Sequence, residues 1–258
     1  MPPTPPDGLA LTARGLTLAA RRGTVFGPVD VDLPPGTPLA VLGAQGSGRS
    51  ALLLALVGRM QGVTGELSLG DVDGVRHPHR LRRITAVAHI GDLVELEPTL
   101  TVAEAVDERA LLDGISRREG RTRMARLQHA VGFHPDPRAA VGTLDARDLT
   151  VLACLLASLR PAELVVYDDV DTSLTLPELE DVYGVLATLG SLGHRFAVSA
   201  LASSPVPRGT VVVHLPAGVP DDAPVPTSEE AGCSSAMSCA GSAASCPCWP
   251  SCSSRSCR

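Results

Sequence analysis

The residue types best suited to chemistry lie in a glycine-rich segment, GAQGSGRS, at residues 43–50. The segment fits the pattern G-x-x-x-x-G-[KR]-[ST], and it stands between an apolar stretch predicted as a strand and one predicted as a helix (51–60). Its glycines permit the positive φ angles that turn successive backbone N–H groups inward, and a helix N-terminus adds partial positive charge. The segment therefore predicts a phosphate-binding loop. The alternative is a plain glycine-rich turn between strand and helix.

Polar side chains of this loop extend the hypothesis. Ser50 would offer its hydroxyl to Mg²⁺, and Arg49 stands where a lysine is usual in this pattern. The guanidinium keeps the positive charge but presents a wider, planar group than a compact ammonium. The candidate phosphate-binding residues are Gly43, Gly46, Ser47, Gly48, Arg49, Ser50 and Ala51.

A pair of carboxylates follows an apolar strand candidate, LVVYDD, at residues 164–169. Asp168 is placed to hold a Mg²⁺ shell through water, and Asp169 could orient or deprotonate a water. Acidic residues that end a core strand are otherwise solvated strand caps. The loop and the carboxylate pair together are more specific than either motif alone.

Alternating strand and helix patterns position these motifs. Two N-terminal β segments (9–20 and 24–33) precede the loop, and further strand candidates alternate with helices as far as residue 215. Strands alternating with helices of this length predict a mainly parallel sheet with helices on both faces. Beyond it, residues 223–258 form a Ser/Ala/Cys-rich tail that is predicted to be disordered and that matches no zinc-binding spacing.

Composition excludes several functional classes. The 258 residues carry a net charge of −6, so a broad basic surface for nucleic acid is not expected. The longest apolar run, at residues 51–57, is too short to cross a bilayer, and the first residues lack the features of a signal peptide. The expectation is a cytosolic protein.

The motifs and their spacing resemble the ATP-binding subunit of ABC transporters over residues 8–215. Residues 43–71 are similar to that family's Walker A loop, helix and following strand, and LEPTLTVAEAV (96–106) is similar to the segment after its Q-loop. Residues 141–169 have the spacing of its signature motif, helix and Walker B strand. Arginine in Walker A makes the chain most similar to degenerate actinobacterial members.

The resemblance implies an α/β P-loop NTPase fold of ABC type. It would have a mainly parallel core sheet flanked by helices, an N-terminal antiparallel β subdomain, and a helical subdomain at about 90–160 within a nucleotide-binding domain spanning 1–222. It also implies ATP and Mg²⁺ as cofactors, a separately encoded membrane-spanning subunit, a second nucleotide-binding domain, and a cytoplasmic location on the inner face of the membrane.

The chain departs from the family pattern at catalytic positions. His89 occupies the place of the Q-loop glutamine, where it is a partner-sensing candidate or simply a hydrogen-bonded loop histidine. Asp169 occupies the position of the family's catalytic glutamate. Its side chain is one methylene shorter, so its carboxylate would lie farther from the attacking water. Asp145 and Asp148 replace the signature residues and would repel a phosphate across a dimer, which favours a heterodimer. Asp145 is equally a good helix N-cap.

Other parts of the family pattern are missing. Thr175 takes the D-loop aspartate position, where it suits a helix cap. The family's switch histidine would follow the strand at 195–199, but no histidine lies at 200–202. The family also stacks an aromatic residue on adenine, and none lies near Ala19 and Ala20. The nearest, Phe26, better suits the β core. Each loss removes positioning of the transition state and leaves the phosphate loop intact.

Three functions therefore remain open. The first is an ATP-binding transporter subunit with weak or partner-dependent hydrolysis. The second is a catalytically inactive scaffold or regulator of a membrane protein. The third, a small P-loop kinase or GTPase, is weaker. A chain without lysine or asparagine has no guanine-reading N-K-x-D for a GTPase, and a kinase would lack the signature-like spacing seen at 141–169. Arginine-rich stretches at 79–83 and 116–126 are solvated helix faces or docking surfaces for the membrane partner.

Overall fold

The computed structural model describes residues 8–21 and 23–216. The strands are β1 (Leu11–Ala20), β2 (Gly23–Leu33), β3 (Leu39–Gly43), β4 (Val63–Leu69), β5 (Val72–Asp73), β6 (Thr85–His89), β7 (Leu164–Tyr167), β8 (Phe196–Leu201) and β9 (Val211–His214). The helices are α1 (Arg49–Leu56), α2 (Pro78–Ile84), α3 (Val102–Leu112), α4 (Arg117–Val131), α5 (Ala146–Ala157) and α6 (Leu176–Ser191). The tail expected at 223–258 lies outside the described residues.

The strands form two sheets within this part of the chain. One is antiparallel with the order β2-β1-β4-β5, and the other is parallel with the order β6-β7-β8-β3-β9. In the parallel sheet β8 pairs with both β3 and β7, so the segments after β3 and β7 leave the same carboxyl edge. The expected α/β P-loop fold with an antiparallel β subdomain is confirmed.

Alternation along the central strands builds two apolar layers, one on each face of the parallel sheet. In β3, Ala40 and Leu42 pack with helices α3 to α6, whereas Leu39 and Val41 pack with α1 and the antiparallel sheet. Strands buried on both faces read as continuous apolar runs, and this is why β3 and β7 were recognisable from sequence. Phe26 is 3% exposed in the second layer, as expected for a core residue of β2.

Helix α1 is shorter than its sequence pattern predicts and begins earlier. The apolar run favoured a helix over 51–60, but α1 spans Arg49–Leu56. Gly48 is its N-cap, and the chain turns out of the helix at Gly58, where φ is 69°. Glycine in the left-handed region is a common end to a helix.

Helices α3, α4 and α5 follow one another between residues 102 and 157, inside the segment expected to be the helical subdomain. A capping box joins Thr101 to Glu104 at the start of α3, as the sequence predicts. The short helix α2 agrees with the helix-face interpretation of the arginine-rich stretch 79–83, but its bounds were not predicted. Its proline at the first position and its arginine-rich sequence give little apolar periodicity.

Candidate functional site

The glycine-rich loop joins the end of β3 to the start of α1. Gly46 and Gly48 have φ angles of 77° and 89°, which glycine adopts at little cost. A Cβ at Gly48 would collide with the carbonyl oxygen of Val25, and one at Gly43 would collide with the hydroxyl of Ser47. The loop therefore needs glycine at positions 43 and 48 for space, and at 46 and 48 for conformation.

Two polar atoms of the loop are buried and lack a partner among the described residues. They are the hydroxyl oxygen of Ser47 and the Nη1 of Arg49. Both residues are nearly inaccessible to solvent, whereas Ser50 is exposed and Ala51 is half-buried. A buried polar group without a partner is costly, so these atoms mark a place where an oxygen-rich ligand would be stabilised.

The second terminal nitrogen of the Arg49 guanidinium, Nη2, is already paired. Nη2 lies 2.7 Å from Oδ1 of Asp169, and the side chains are 7% and 42% exposed respectively. This ion pair joins the loop after β3 to the acidic segment after β7 across the intervening strand β8. The two motifs singled out in the sequence thus meet at one edge of the sheet, and we call this contact the Arg49–Asp169 latch.

Asp168, the residue before Asp169, is held by hydrogen bonds to residues of the neighbouring strands. It is 1% exposed, and its carboxylate accepts a hydrogen bond from the hydroxyl of Ser199. The same hydroxyl oxygen accepts the backbone N–H of Asp169 at 2.8 Å, and the backbone N–H of Asp168 donates to the carbonyl of His89 at 3.0 Å. One serine on β8 therefore orients both carboxylate-bearing residues at the end of β7.

Asp169 has a strained backbone and a perturbed carboxyl group. Its φ of 51° lies in the left-handed region, where a residue other than glycine is uncommon. Partial burial, and then the neighbouring Asp168, raise the pKa of its carboxyl group above the ordinary value, with a smaller contribution from Asp171. Arg49 and His89 oppose this shift. Backbone strain and a raised pKa on one residue are typical of functional positions.

His89 lies at the end of β6, beside the acidic segment. Its ring packs on that of Tyr167 with centroids 5.1 Å apart, and the hydroxyl of Tyr167 lies 3.1 Å from that of Thr150 on α5. Burial raises the pKa of the Tyr167 phenol to about 12, so the ring stays neutral. His89 is therefore a half-buried residue in contact with the site from β6, and Tyr167 connects it to α5.

The altered positions have structural roles. Asp145 caps α5 by accepting the backbone N–H of Asp148 at 2.8 Å, and Thr175 forms a capping box with Glu178 at the start of α6. Asp148 pairs with Arg147 at 2.9 Å, which offsets part of the negative charge that the sequence places there. The cap interpretations of Asp145 and Thr175 are confirmed.

A cluster of positive charge lies where α1, α2 and α3 end. Arg59, Arg82, Arg109 and Arg160 form this arginine cluster: partial burial, and then the charges of the other three, lower the pKa of Arg59. Asp113 is the acidic residue that opposes the shift, and it lies 2.9 Å from Arg109 and 3.6 Å from Arg160. The cluster combines one residue of the 79–83 stretch with residues far apart in sequence, so its excess of positive charge was not visible from either arginine-rich stretch.

Ser199 is the site residue that the sequence analysis missed. The available signal was weak: a hydroxyl inside the apolar strand RFAVSAL, facing the end of an acidic neighbour strand. For metal binding, the described residues contain no group of three or more His, Cys, Asp or Glu side chains arranged around one point. A cation at this edge would therefore need oxygens from a bound ligand or water.

Comparison with known proteins gives consistent matches. The family model described as ABC transporter matches residues 26–169, more than half of the chain. The arabinose import ATP-binding protein AraG 2 of Burkholderia cenocepacia is 28% identical over 193 residues, covering 74% of this chain and 38% of that protein. The ribose import ATP-binding protein RbsA 2 of Rubrobacter xylanophilus is 30% identical over 189 residues, covering 70% and 36%. The chain thus spans less than two fifths of the length of these relatives.

Solved structures share the fold at low sequence identity. The ATP binding subunit of an ABC transporter superposes with a TM-score of 0.64 at 18% identity, over 80% of this chain and 85% of the other. The dimeric bacterial ABC transporter cassette MJ0796 gives a TM-score of 0.66 at 17% identity, over 80% and 94%. At this level of identity the likeness concerns the fold alone.

Proposed function

The chain belongs to the ABC transporter family, and from that premise we propose that it is an ATP-binding subunit of an import system that binds Mg-ATP and hydrolyses it weakly. The observation that carries the proposal is the loop at 43–50, with the unpartnered Ser47 hydroxyl and Arg49 Nη1 beside the acidic segment. Import as the direction of transport rests on the relatives, which are import ATP-binding proteins.

The residues present fit a phosphate chain. The loop offers backbone N–H groups at the start of α1, a buried hydroxyl and a buried guanidinium nitrogen without partners among the described residues, and glycines where a side chain would collide. Gly43, Gly46, Ser47, Gly48, Arg49, Ser50 and Ala51 would hold the phosphates. Ser50 and Asp168 would hold Mg²⁺, which supplies neutralisation of phosphate charge when bound.

The protein residues have separate roles in this proposal. Asp168, held by Ser199, would present its carboxylate to the cation or to its water. Asp169 accepts a proton from the attacking water, and it does so poorly because its side chain is short and engaged by Arg49. His89 is the partner-sensing residue, and its ring contact with Tyr167 would transmit the binding of the partner to the site. Hydrolysis is slow because these groups position the reacting atoms less completely than a longer base would.

The partner in this proposal is a separately encoded membrane-spanning subunit, which holds the chain on the cytoplasmic, inner face of the membrane. The arginine cluster at the ends of α1, α2 and α3 supports this, because unbalanced positive charge there suits an acidic segment of a partner. Nucleic acid is not the expected partner, given the net charge of −6.

We also propose a second nucleotide-binding domain as a partner, with a heterodimer favoured over a homodimer. Asp145 is exposed at the start of α5 and would face a phosphate held by the opposing domain. The pairing of Asp148 with Arg147 weakens this repulsion without removing it. A partner with an uncharged signature segment would avoid it entirely.

A second function is favoured by the latch itself. Arg49 and Asp169 neutralise each other, so the groups expected to bind phosphate and to activate water are engaged with one another. A chain that keeps this arrangement would be a catalytically inactive scaffold or regulator of a membrane protein.

Phosphate release from Mg-ATP by the full chain distinguishes the two functions. We expect slow release that rises several-fold in Asp169→Glu, because the extra methylene carries the carboxylate towards the water. The matched control Asp181→Glu, at an exposed acid of α6, should leave the rate unchanged. No release from either the wild type or Asp169→Glu, at saturating Mg-ATP, would favour the scaffold.

A further inference from the structure

A cavity of about 400 Å³ lies at the edge of the parallel sheet opposite the phosphate loop. Its apolar wall contains Leu39 at the start of β3, Phe196 and Val198 of β8, and Leu186 of α6. The loop at 43–50 follows the other end of β3, so the length of the strand separates it from the cavity. This space is therefore not part of the proposed nucleotide site.

Polar groups without partners belong to residues that line this cavity. Within the described chain, the hydroxyl of Tyr183, Nδ1 of His194 and Nη2 of Arg195 are buried and make no hydrogen bond. Three such groups around one apolar cavity are more than packing alone accounts for, since native interiors satisfy nearly all buried polar atoms. The cluster points to a ligand that supplies the missing partners.

Of the three residues, Arg195 has the best-defined position for binding a ligand. The residue is 5% exposed, its Nε donates to the carbonyl of Glu163 at 3.1 Å, and its Nη1 donates to the carbonyl of Pro34 at 3.3 Å. Two nitrogens are thus fixed by the backbone, and the third is held in place without an acceptor. Burial lowers the pKa of Arg195 and of His194, and it raises the pKa of Tyr183 to about 12.

The charges around the cavity favour an anion. Arg195 and Arg208 are among the described residues that line it, and no Asp or Glu is among them. Two acids outside the lining act on these residues: Glu163 raises the pKa of Arg195 against the effect of burial, and Asp171 adds to the rise in the pKa of Tyr183. The carboxylate of Glu163 already accepts the backbone N–H of Leu9 at 3.1 Å. A carboxylate held by Arg195 would balance the buried charge and accept the free N–H.

We propose that this cavity binds a small carboxylate with an apolar body, the carboxylate on Arg195 and the Tyr183 hydroxyl and the apolar part against β8 and α6. The volume suits a ligand at the small end of the range that protein sites accept. Water alone would hydrogen-bond to the polar groups, but it would make no favourable contact with the apolar wall. Phosphorylated ligands are less suitable, because Arg195 is the one buried guanidinium among the described lining residues, Arg208 being exposed, and a single positive charge does not balance a dianion.

The test titrates 3-phenylpropionate into the full chain by isothermal calorimetry, with 3-phenylpropanamide as the neutral analogue of the same shape. The acid is expected to bind with a dissociation constant of about 1 mM or tighter, and the amide about tenfold more weakly. No saturation by the acid at ~10 mM, or equal affinity for acid and amide, would overturn the proposal.

Two glycines of α6 provide a matched pair of variants. A Cβ at Gly190 or at Gly184 meets no atom within 4 Å, but only Gly190 lines the cavity. Both changes to leucine improve helix propensity, so each variant should fold. Gly190→Leu is expected to fill the cavity and weaken 3-phenylpropionate about tenfold or more, while Gly184→Leu binds as the wild type does. Full binding by Gly190→Leu would show that the ligand sits elsewhere.

Discussion

Replacement of Asp169 by asparagine is expected to tighten the binding of Mg-ATP. Nη2 of Arg49 lies 2.7 Å from the Asp169 carboxylate, and a phosphate must compete with that carboxylate for the guanidinium. The amide keeps the shape of the side chain but removes its charge. The same change also removes a negative charge that would repel the phosphates.

The size of the effect follows from the exposure of the two side chains. Exposed ion pairs contribute about 0.2–1 kcal/mol, and breaking a buried pair costs about 3–5 kcal/mol. The latch lies between these cases, with Arg49 7% and Asp169 42% exposed. We take the ion pair to oppose phosphate binding by about 1.4 kcal/mol. Its removal in Asp169→Asn would then lower the dissociation constant for Mg-ATP about tenfold relative to the wild type.

The assay is calorimetric titration of Mg-ATP into the wild type and Asp169→Asn, with phosphate release measured on the same samples. Asp181→Asn is the control, because it removes the same charge from an exposed position on α6. Asp169→Asn should bind more tightly and release less phosphate than the wild type. An unchanged or weaker affinity, with Asp181→Asn like the wild type, would refute the idea that the latch opposes nucleotide binding.

Further predictions concern the frame of the site. Ser199→Ala should destabilise the protein by about 2–3 kcal/mol in urea denaturation, because buried Asp168 loses its hydrogen-bond donor. Gly46→Ala should cost about 1 kcal/mol from its positive φ alone, and Gly48→Ala about 3 kcal/mol or more because its Cβ also meets a carbonyl of β2. The raised pKa of Asp169 makes its ionised form less favourable in the folded than in the unfolded chain, so stability is lost as pH rises from 3.8 through the folded pKa. The unfolding free energy of Asp169→Asn relative to wild type should therefore increase from acid to neutral pH.

Each of these predictions would be contradicted by a specific result. Ser203→Ala, at an exposed serine just after β8, is the control for Ser199→Ala, and equal stability of the two variants would contradict the role of Ser199. Equal losses in the two glycine variants would mean that space at residue 48 does not matter. A stability difference that stays constant with pH would contradict the direction assigned to the Asp169 pKa.

Local pattern was sufficient to predict most elements of the described fold. Apolar runs identified β3 and β7, and capping boxes located the starts of α3 and α6 at Thr101 and Thr175. The two halves of the site were predicted because each lies in a short motif at the end of such a strand. The bounds of helix α2 were missed because seven residues with one buried leucine carry no periodic signal.

Contacts between distant segments could not be predicted in the same way. The latch joins residues 120 positions apart through a loop that must turn back towards the sheet. Ser199 acts on the acidic segment only because β8 lies beside β7 in the parallel sheet. The arginine cluster and the carboxylate cavity likewise gather residues from several elements, and no local window of sequence contains them.

The most direct test of the central claim is a titration of Mg-ATP into the full chain and into Arg49→Ala, with Arg208→Ala as a control at an exposed arginine far along the chain from the loop. Binding to the phosphate loop predicts micromolar affinity for the wild type and for Arg208→Ala, with a loss of about a hundredfold or more in Arg49→Ala. No binding to the wild type at millimolar Mg-ATP, or equal binding by all three proteins, would contradict a nucleotide site on the loop at 43–50.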